Sequence, residues 1–429
     1  MLAALAASLL QACGGGSDSG SGTARLVNAS DDYASLDLYS TTTSNGVSTD
    51  TLLAGGVTTD TAGTYVSLGA TSYVFNLKRA GSSTTSNTST RTVVKGASHT
   101  LVAYSTSGAL KTVFLNDNEP VPTSGTAKFR VFNASDEAGT LDVYVTDPAA
   151  PLAGSAATAS GLAIERISTY TEIGAGTYRI RVTGAGDTTD LRLDLPAVTL
   201  TNPQILTLVL TSSPGGVLVH GRIIDQGGTV APERNPSARV RLVAGAGANG
   251  TVAATVNGTT LSTSQQSPTI GNYKLVDAGA LVLNVTLNGG PPLPITATTL
   301  LAGSDNTLLV TSSGASGTAT LIGDDNRPPL TTGNAKLRLV HGVGNLAGLV
   351  TLSANFRVVA TDVSTNSAST PASIPANAVN TTTSLSATTP TVTTPLYKAD
   401  AALQAGHVYT VFVLGDVAAP ATGALSGDR

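Results

Sequence analysis

The chain has four histidines: His99, His220, His341 and His407. Their spacing in the sequence shows whether they could form a catalytic or metal-binding site. An imidazole can act as a general base or bind a metal ion, but both uses need a second group at a defined distance. The sequence contains no His-x-x-x-His, Glu-x-x-His or Cys/His set. Only His99 and His407 occupy equivalent positions, at the entry of an apolar strand. A polar residue at a strand entry explains this pattern, so we predict no catalytic or metal-binding histidine.

Three acidic turns offer the oxygen ligands that Ca²⁺ prefers, namely Asp31-Asp32, Asn116-Asp117-Asn118-Glu119 and Asp324-Asp325-Asn326. The candidate calcium ligands among them are Asp117, Glu119, Asp324 and Asp325. Their spacing does not match an EF-hand loop, and Asp and Asn favour turns without any metal. We therefore predict turns and no metal site, and keep these four carboxylates as the calcium alternative.

Other catalytic patterns are absent from the sequence. There is no Gly-x-Ser-x-Gly elbow, no Walker loop and no glycine fingerprint between a strand and a helix. The prediction is a protein without cofactors that is not an enzyme. The net charge is −4 and lysines and arginines form no cluster, which argues against a nucleic-acid partner.

Cys13 is the only cysteine in the chain, and it ends an apolar segment that begins at Met1. The sequence Leu10-Gln11-Ala12-Cys13 resembles the lipobox of a bacterial lipoprotein signal, which implies that Cys13 is lipidated and becomes the N-terminus. A Gly/Ser tether follows at residues 14–23. We therefore expect an outer-membrane lipoprotein that faces either the periplasm or the cell surface. An ordinary signal peptide and a chance apolar start are the alternatives.

The elements that position these residues come from an internal repeat. Four apolar strands carry the basic anchor residues Arg25, Arg130, Arg241 and Arg338, which lie 105, 111 and 97 residues apart. Eleven residues after each anchor, an apolar residue opens the next predicted strand: Leu36, Leu141, Val252 and Leu349. A period of this size with constant internal spacing predicts four copies of one domain.

Alternating and continuous apolar runs predict an all-β fold. In the second copy, Leu141, Val143 and Val145 should share one face of an antiparallel strand, with Asp142 and Tyr144 on the other face. On the later strand 176–182, Arg179 and Arg181 should face solvent. The penultimate strand of each copy is almost wholly apolar, as in a strand covered on both faces.

These patterns favour four tandem Ig-like β-sandwich repeats of about 100 residues each, with a closed barrel as the lesser alternative. The predicted repeats cover residues 24–125, 126–237, 238–334 and 335–429. The fourth repeat is divergent, and its Ser/Thr/Pro-rich stretch from Ser364 to Thr394 is interpreted as a long loop.

The second copy pairs Arg-Val-Phe-Asn-Ala-Ser at 130–135 with Leu-Asp-Val-Tyr-Val at 141–145. This pairing resembles the bacterial domain of unknown function 4397 family, and the first copy matches nearly as well. Copies three and four have Gly-rich turns in place of Asn-Ala-Ser. The resemblance covers residues 24 to 429, most closely 24 to about 225. It implies an exported, often lipid-anchored β-sandwich protein and no catalytic or ligand residues.

Three functions are compatible with this sequence. The first is a non-enzymatic, lipid-anchored cell-envelope protein that acts as a structural spacer, scaffold or adhesion module through loops at the sandwich ends. The second is an envelope lipoprotein that binds a glycan or peptide in grooves between repeats or at end loops. The third is an enzyme with the long loop of the fourth copy as a lid, which has the least support because no titratable residues converge.

Overall fold

The computed structural model describes residues 20–44, 47–106, 108–247, 250–314, 316–416 and 419–429. These residues form β-strands and no helices, so the all-β prediction is confirmed. Cys13 and the predicted signal segment lie outside the described residues. The described residues form two compact units: the first contains residues 20–28, Tyr33–Ala103 and Thr112–Pro120, and the second contains Ala29–Asp32, Tyr104–Lys111 and Val121–Arg429.

The first copy has nine strands in its described residues, and they form two sheets. The strands are β1 (Ser21–Asn28), β2 (Ser35–Ser44), β3 (Val47–Thr58), β4 (Thr61–Ala62), β5 (Val66–Gly69), β6 (Ser72–Arg79), β7 (Thr85–Thr92), β8 (Ser98–Thr106) and β9 (Ala109–Asn116). One sheet has the order β4-β1-β8-β9, with β5 also on β1, and the other has the order β3-β2-β6-β7.

The second copy repeats this plan. Its strands are β10 (Thr126–Asn133), β11 (Leu141–Thr146), β12 (Ala159–Leu162), β13 (Thr171–Gly174), β14 (Gly176–Gly184), β15 (Asp187–Leu200), β16 (Ile205–Ser212), β17 (Val219–Asp225) and β18 (Val230–Glu233). The sheet orders are β13-β10-β16-β17-β18 and β12-β11-β14-β15.

The third copy has a smaller second sheet. Its strands are β19 (Ser237–Gly245), β20 (Thr251–Val256), β21 (Thr259–Gln266), β22 (Thr269–Ile270), β23 (Lys274–Asp277), β24 (Gly279–Ala280), β25 (Leu283–Leu287), β26 (Thr299–Leu300), β27 (Asp305–Ser313) and β28 (Ser316–Asp324). The first sheet has the order β22-β19-β27-β28, with β23 also on β19. The second has the order β21-β20-β25, and β24 pairs with β26.

The fourth copy returns to two larger sheets. Its strands are β29 (Asn334–Gly344), β30 (Val350–Ala354), β31 (Arg357–Val363), β32 (Ser367–Ala368), β33 (Ala372–Pro375), β34 (Thr383–Thr389), β35 (Val392–Ala401), β36 (Val408–Asp416) and β37 (Ala419–Gly427). The orders are β32-β29-β36-β37, with β33 also on β29, and β31-β30-β34-β35. The tandem β-sandwich prediction is therefore confirmed.

One pairing recurs in all four copies: the first strand runs parallel to the penultimate strand. β1 pairs with β8, β10 with β16, β19 with β27 and β29 with β36. Both strands lie inside their sheet, and the penultimate strands are buried along almost their whole length. Continuous apolar runs therefore marked central strands correctly, but their parallel direction was not predicted.

Three expectations about the fourth and second copies are wrong. Residues 364–394 are not one long loop, because they contain β32, β33, β34 and the start of β35. Leu349 is 43% exposed, whereas Val350 is fully buried and opens β30, so the spacing from Arg338 is twelve residues. Arg181 does not face solvent: it is buried, and its Nη2 donates to Thr146 Oγ1 at 2.8 Å and to the Ala150 carbonyl at 2.9 Å.

The strand β11 is buried on both faces rather than one. Asp142, expected on the open face, is 6% exposed. Its carboxylate accepts the backbone N–H of Gly161 at 2.6 Å and that of Gly186 at 2.8 Å. Asp37 does the same in the first copy, where it accepts from Gly56 and Gly81. A buried carboxylate is tolerated here because two otherwise unpaired backbone donors satisfy it.

The Asn-Ala-Ser segments are also internal. Asn28 and Asn133 are fully buried, so they are structural residues and not accessible glycosylation acceptors. Asn133 Nδ2 donates to the carbonyls of Gly139 at 2.8 Å and Leu162 at 3.0 Å. Asn28 Nδ2 bonds the carbonyls of Tyr33 and Val57 in the same way. The motif therefore fixes the connection between the first two strands of a copy.

We expect Asp142→Ala to lower the free energy of unfolding by about 3 kcal/mol, because two buried N–H groups lose a charged acceptor. Urea unfolding would measure this loss. Asp147→Ala, at an exposed position after β11, is the control and should change stability by less than about 0.5 kcal/mol. Equal stability of the two variants would contradict the role given to Asp142.

Candidate functional site

The four anchor arginines make the same contact in every copy. Because the first and penultimate strands are parallel, each arginine lies directly opposite a threonine. The arginine Nε donates to that hydroxyl: Arg25 to Thr100 at 2.8 Å, Arg130 to Thr207 at 2.9 Å, Arg241 to Thr307 at 2.9 Å and Arg338 to Thr410 at 2.8 Å. The arginines were visible in the sequence as a repeat, but their threonine partners were not predicted, although a threonine recurs in each penultimate strand.

An aspartate at or just beyond the end of the closing strand extends this contact. In the first copy, Asp117 accepts Thr100 Oγ1 at 2.6 Å and the hydroxyl of Tyr65 at 2.7 Å. The Arg25 guanidinium lies over the Tyr65 ring, 4.7 Å from its centroid. Burial and the neighbouring carboxylate raise the pKa of Tyr65 to about 12, so this tyrosine stays a hydrogen-bond donor. Asp117 is therefore part of an Arg–Thr–Asp–Tyr group.

The third copy contains the same group. Asp324 accepts Thr307 Oγ1 at 2.7 Å and the Tyr273 hydroxyl at 2.5 Å. Burial, reinforced by the charge of Asp324, raises the pKa of Tyr273 well above its usual value. In the fourth copy, Thr410 Oγ1 donates to Asp428, and Pro371 stands just before β33, where the other copies have a tyrosine before the equivalent strand.

The arginines and aspartates of the third and fourth copies exchange partners. Arg241 Nη1 binds Asp428 of the fourth copy at 2.5 Å, and Arg338 Nη2 binds Asp324 of the third copy at 2.6 Å. Within each copy, the corresponding arginine–aspartate distance is 3.8 Å. None of these four side chains is more than 3% exposed. We call this group the crossed pairs.

The crossed pairs form a closed group of two positive and two negative charges. Burying a charge is costly unless it is paired and hydrogen-bonded, and breaking one buried pair typically costs 3 to 5 kcal/mol. Each aspartate also accepts a threonine hydroxyl of its own copy, so its second oxygen is satisfied. The arrangement therefore requires both copies to be present in one register.

An apolar cluster lies next to the crossed pairs where the two copies meet. It contains Val243 and Leu309 of the third copy and Val340, Phe412 and Leu414 of the fourth, all of them buried. The Arg241 guanidinium lies 5.0 Å from the centroid of the Phe412 ring. These side chains exclude water from the ion pairs, which strengthens the pairing.

The Gly-rich turns of these copies have a steric cause. A Cβ on Gly344 would overlap the carbonyl oxygen of Ser312, and a Cβ on Gly245 would overlap the carbonyl oxygen of Gly342. Both obstacles are backbone atoms of the facing copy, which cannot move aside like a flexible side chain. Glycine is therefore required where the copies approach closely, at Gly245 against β29 and at Gly344 against β27.

We expect Gly344→Ala to destabilise the second unit by about 3 kcal/mol, since overpacking against backbone costs 1 to 3 kcal/mol or more. Thermal and urea unfolding of the full chain would measure the loss. Gly323→Ala is the matched control, because a Cβ there meets nothing within 4 Å and its φ is not positive. Unchanged stability of Gly344→Ala would contradict the close approach.

A groove of about 430 Å³ lies beside the linker between the third and fourth copies. Asp325 on its wall pairs with Arg327 Nε and with Lys336 Nζ, both at 2.8 Å. Burial alone disfavours the Asp325 carboxylate, but hydrogen bonds from these two cations outweigh it and lower the pKa of Asp325. Leu330 on the rim is 77% exposed. The groove thus offers both charged and apolar contacts.

The structure does not bring the four candidate calcium ligands together. Asp117 and Asp324 accept tyrosine and threonine hydroxyls, and Asp324 also pairs with Arg338. Asp325 pairs with two cations, and Glu119 lies in the turn after β9. Across the described ranges, no three His, Cys, Asp or Glu side chains are grouped so that they could hold a metal ion.

The histidines are separated and have structural partners. His99 Nε2 accepts the Val94 N–H at 3.2 Å, and its ring stacks on Phe114. Nδ1 of His341 lies 3.0 Å from the Val363 carbonyl oxygen, a bond that takes the place of the Asn133 contact in the second copy. Burial lowers the pKa of His99 and of His341, which keeps both rings neutral near pH 7.

Comparison with known families gives one match. The model of the family described as domain of unknown function (DUF4397) matches residues 22–144 and 238–349, which together make up more than half of the chain. These stretches contain all four anchor arginines, Arg25, Arg130, Arg241 and Arg338. No curated protein matches the chain significantly.

Solved structures show only distant likeness. CBMbc, a family CBM26 module from Eubacterium rectale Amy13K in complex with maltoheptaose, is 14% identical, with 49% of this chain and 96% of that chain covered and a TM-score of 0.16. A cell adhesion protein candidate from Bacteroides uniformis is 13% identical, with coverages of 48% and 99% and a TM-score of 0.19. The Bacillus anthracis TIE protein is 10% identical, with coverages of 92% and 68% and a TM-score of 0.15. At such scores, these likenesses carry no weight for function.

Proposed function

We propose that this chain, which belongs to the DUF4397 family, is a non-enzymatic, lipid-anchored cell-envelope protein that serves as a spacer, scaffold or adhesion module. The observation that supports this most is that its charged residues bind partners inside the protein. The anchor arginines donate to internal threonines, and the crossed pairs satisfy the charges between the third and fourth copies. In the described residues, titratable side chains stabilise the fold and do not converge on a cluster suited to catalysis.

The anchor is the second part of the proposal. Cys13 would carry the lipid, and the sandwiches would stand in the periplasm or on the cell surface. Residues 14–20 would form the tether, which is three residues shorter than predicted because β1 begins at Ser21. Domains exported without other cysteines must be stable through packing alone, and the second, third and fourth repeats each bury a core of their own. Within the residues that the structure covers, no helix is long and apolar enough to cross a membrane.

A second candidate function is ligand binding at the groove beside Asp325. A groove of about 430 Å³ with paired charges and an exposed leucine suits a peptide or glycan fragment. Screening a glycan and peptide panel by thermal shift would test it. A flat response across the panel would remove this candidate and leave the first.

We expect Cys13→Ser to release the protein from the membrane fraction, because the lipid can no longer be attached. Fractionation and protease treatment of intact cells would measure both anchoring and orientation, with Ser17→Ala in the adjoining tether as the matched control. Retention of the Cys13→Ser protein in the membrane would contradict the anchor. Cleavage on intact cells indicates surface display, and protection until the outer membrane is opened indicates the periplasm.

A further inference from the structure

The turn between β30 and β31 has an unusual residue. Asn355 and Phe356 form the turn with φ of 47° and 63°, both left-handed. In the third copy, the same turn between β20 and β21 is Asn257-Gly258, with φ of 45° and 80°. A two-residue hairpin turn of this type favours glycine at its second position, because a Cβ is strained there. The fourth copy places a phenylalanine where glycine fits best.

This phenylalanine gains almost no contact within the chain. Its side chain is 97% exposed, the highest value among the exposed large apolar residues. Both its backbone conformation and its exposure to water are unfavourable, and packing within the protein does not offset them. Strained residues of this kind concentrate where a protein makes external contacts. The ring is therefore available to a surface outside the chain.

A second apolar loop lies at the same end of the sandwich. Asn355 N–H donates to the Ser384 carbonyl at 2.8 Å, and Ser384 N–H donates to Asn355 Oδ1 at 2.8 Å. These bonds bring the turn next to the loop that precedes β34, in which Val379 is 88% exposed. Val358, two residues after Phe356, is 58% exposed. We call residues 355–358 and 377–382 the apolar tip.

The charge at the apolar tip is positive. Arg357 is exposed and is the single charged residue in these two segments. Outside the tip, Asp400 on β35 pairs in register with Ser384. Exposed apolar side chains beside one cation suit the boundary between anionic lipid headgroups and acyl chains.

We propose that the apolar tip inserts Phe356 and Val379 into an anionic lipid surface. This inference rests on the proposed membrane anchor, because a tethered protein stays near a membrane and a weak second contact then acts at high effective concentration. A two-residue turn is convex, whereas sugar and peptide sites are concave with fixed polar groups. A lipid surface therefore fits the tip better than a glycan or a peptide does.

The chain has no tryptophan, so Phe356→Trp places one fluorescent reporter in the tip. The full chain carrying Cys13→Ser, which lacks the lipid, would be mixed with vesicles of phosphatidylcholine containing roughly one-third phosphatidylglycerol. We expect a blue shift of the emission and quenching by brominated acyl chains. No shift with vesicles, or a shift with soluble glycans instead, would overturn the proposal.

Phe356→Gly removes the ring and also relieves the strained φ, so this variant should fold at least as well as the parent chain. In the same Cys13→Ser background, flotation with vesicles should show about 20-fold weaker binding, as expected for the loss of one buried phenylalanine. Val282→Ser is the matched control, because Val282 is 70% exposed beside the corresponding turn of the third copy. Equal binding of Phe356→Gly and the parent would contradict insertion, whatever the fate of the Cys13 anchor in cells.

Discussion

The packing of the third copy against the fourth depends on the burial of four charges whose closest pairing is between the two copies. Arg241 and Arg338 lie on first strands, and Asp324 and Asp428 lie at the ends of closing strands. Each arginine reaches the aspartate of the other copy more closely than that of its own. The apolar cluster around them and the glycines at the close approach follow from this constraint, since the pairs are stable only when water is excluded and the strands lie near each other.

The same constraint explains how the copies diverged. All four keep the arginine–threonine contact, because it depends only on the parallel pairing of two strands within a copy. The first two copies close the following connection with the buried Asn28 and Asn133. The third and fourth copies have Ala244 and His341 at the asparagine position, and the glycines follow it, where a side chain would collide with the facing copy. Loss of the Asn-Ala-Ser motif therefore reflects a new packing surface rather than a decayed repeat.

Much of the fold could be predicted from the sequence, because the repeat period and the apolar runs report burial directly. The central position of the penultimate strands followed from their continuous apolar residues. The burial of Arg181 and Asp142 could not be predicted, since a charged residue on an alternating strand normally faces water and its partners lie on other strands. Residues 364–394 looked like a loop because Ser and Thr also occur in strands, as in β34, a central strand whose alternate residues are buried. Two of the calcium candidates, Asp117 and Asp324, have another role: their carboxylates accept hydrogen bonds from internal hydroxyl groups.

In the proposed envelope role, the buried charges would stabilise the protein and the apolar tip would contact a membrane. The interior charges make a stable unit without disulfides, which suits an exported protein with a single cysteine. The proposed lipid contact would explain why Phe356 keeps a strained and exposed conformation. Its sequence signal, Asn-Phe in place of the Asn-Gly of the third copy, becomes visible only when the two hairpins are aligned by structure.

The most direct test of the crossed pairs is a double-mutant cycle on Arg241→Met and Asp428→Asn, measured by urea unfolding of the full chain. The crossed arrangement predicts a coupling free energy of about 2 to 3 kcal/mol between these two residues of different copies. The cycle on Arg327→Met and Asp325→Asn, a pair more exposed to solvent, should give less than about 1 kcal/mol. A coupling near zero between Arg241 and Asp428 would contradict the account.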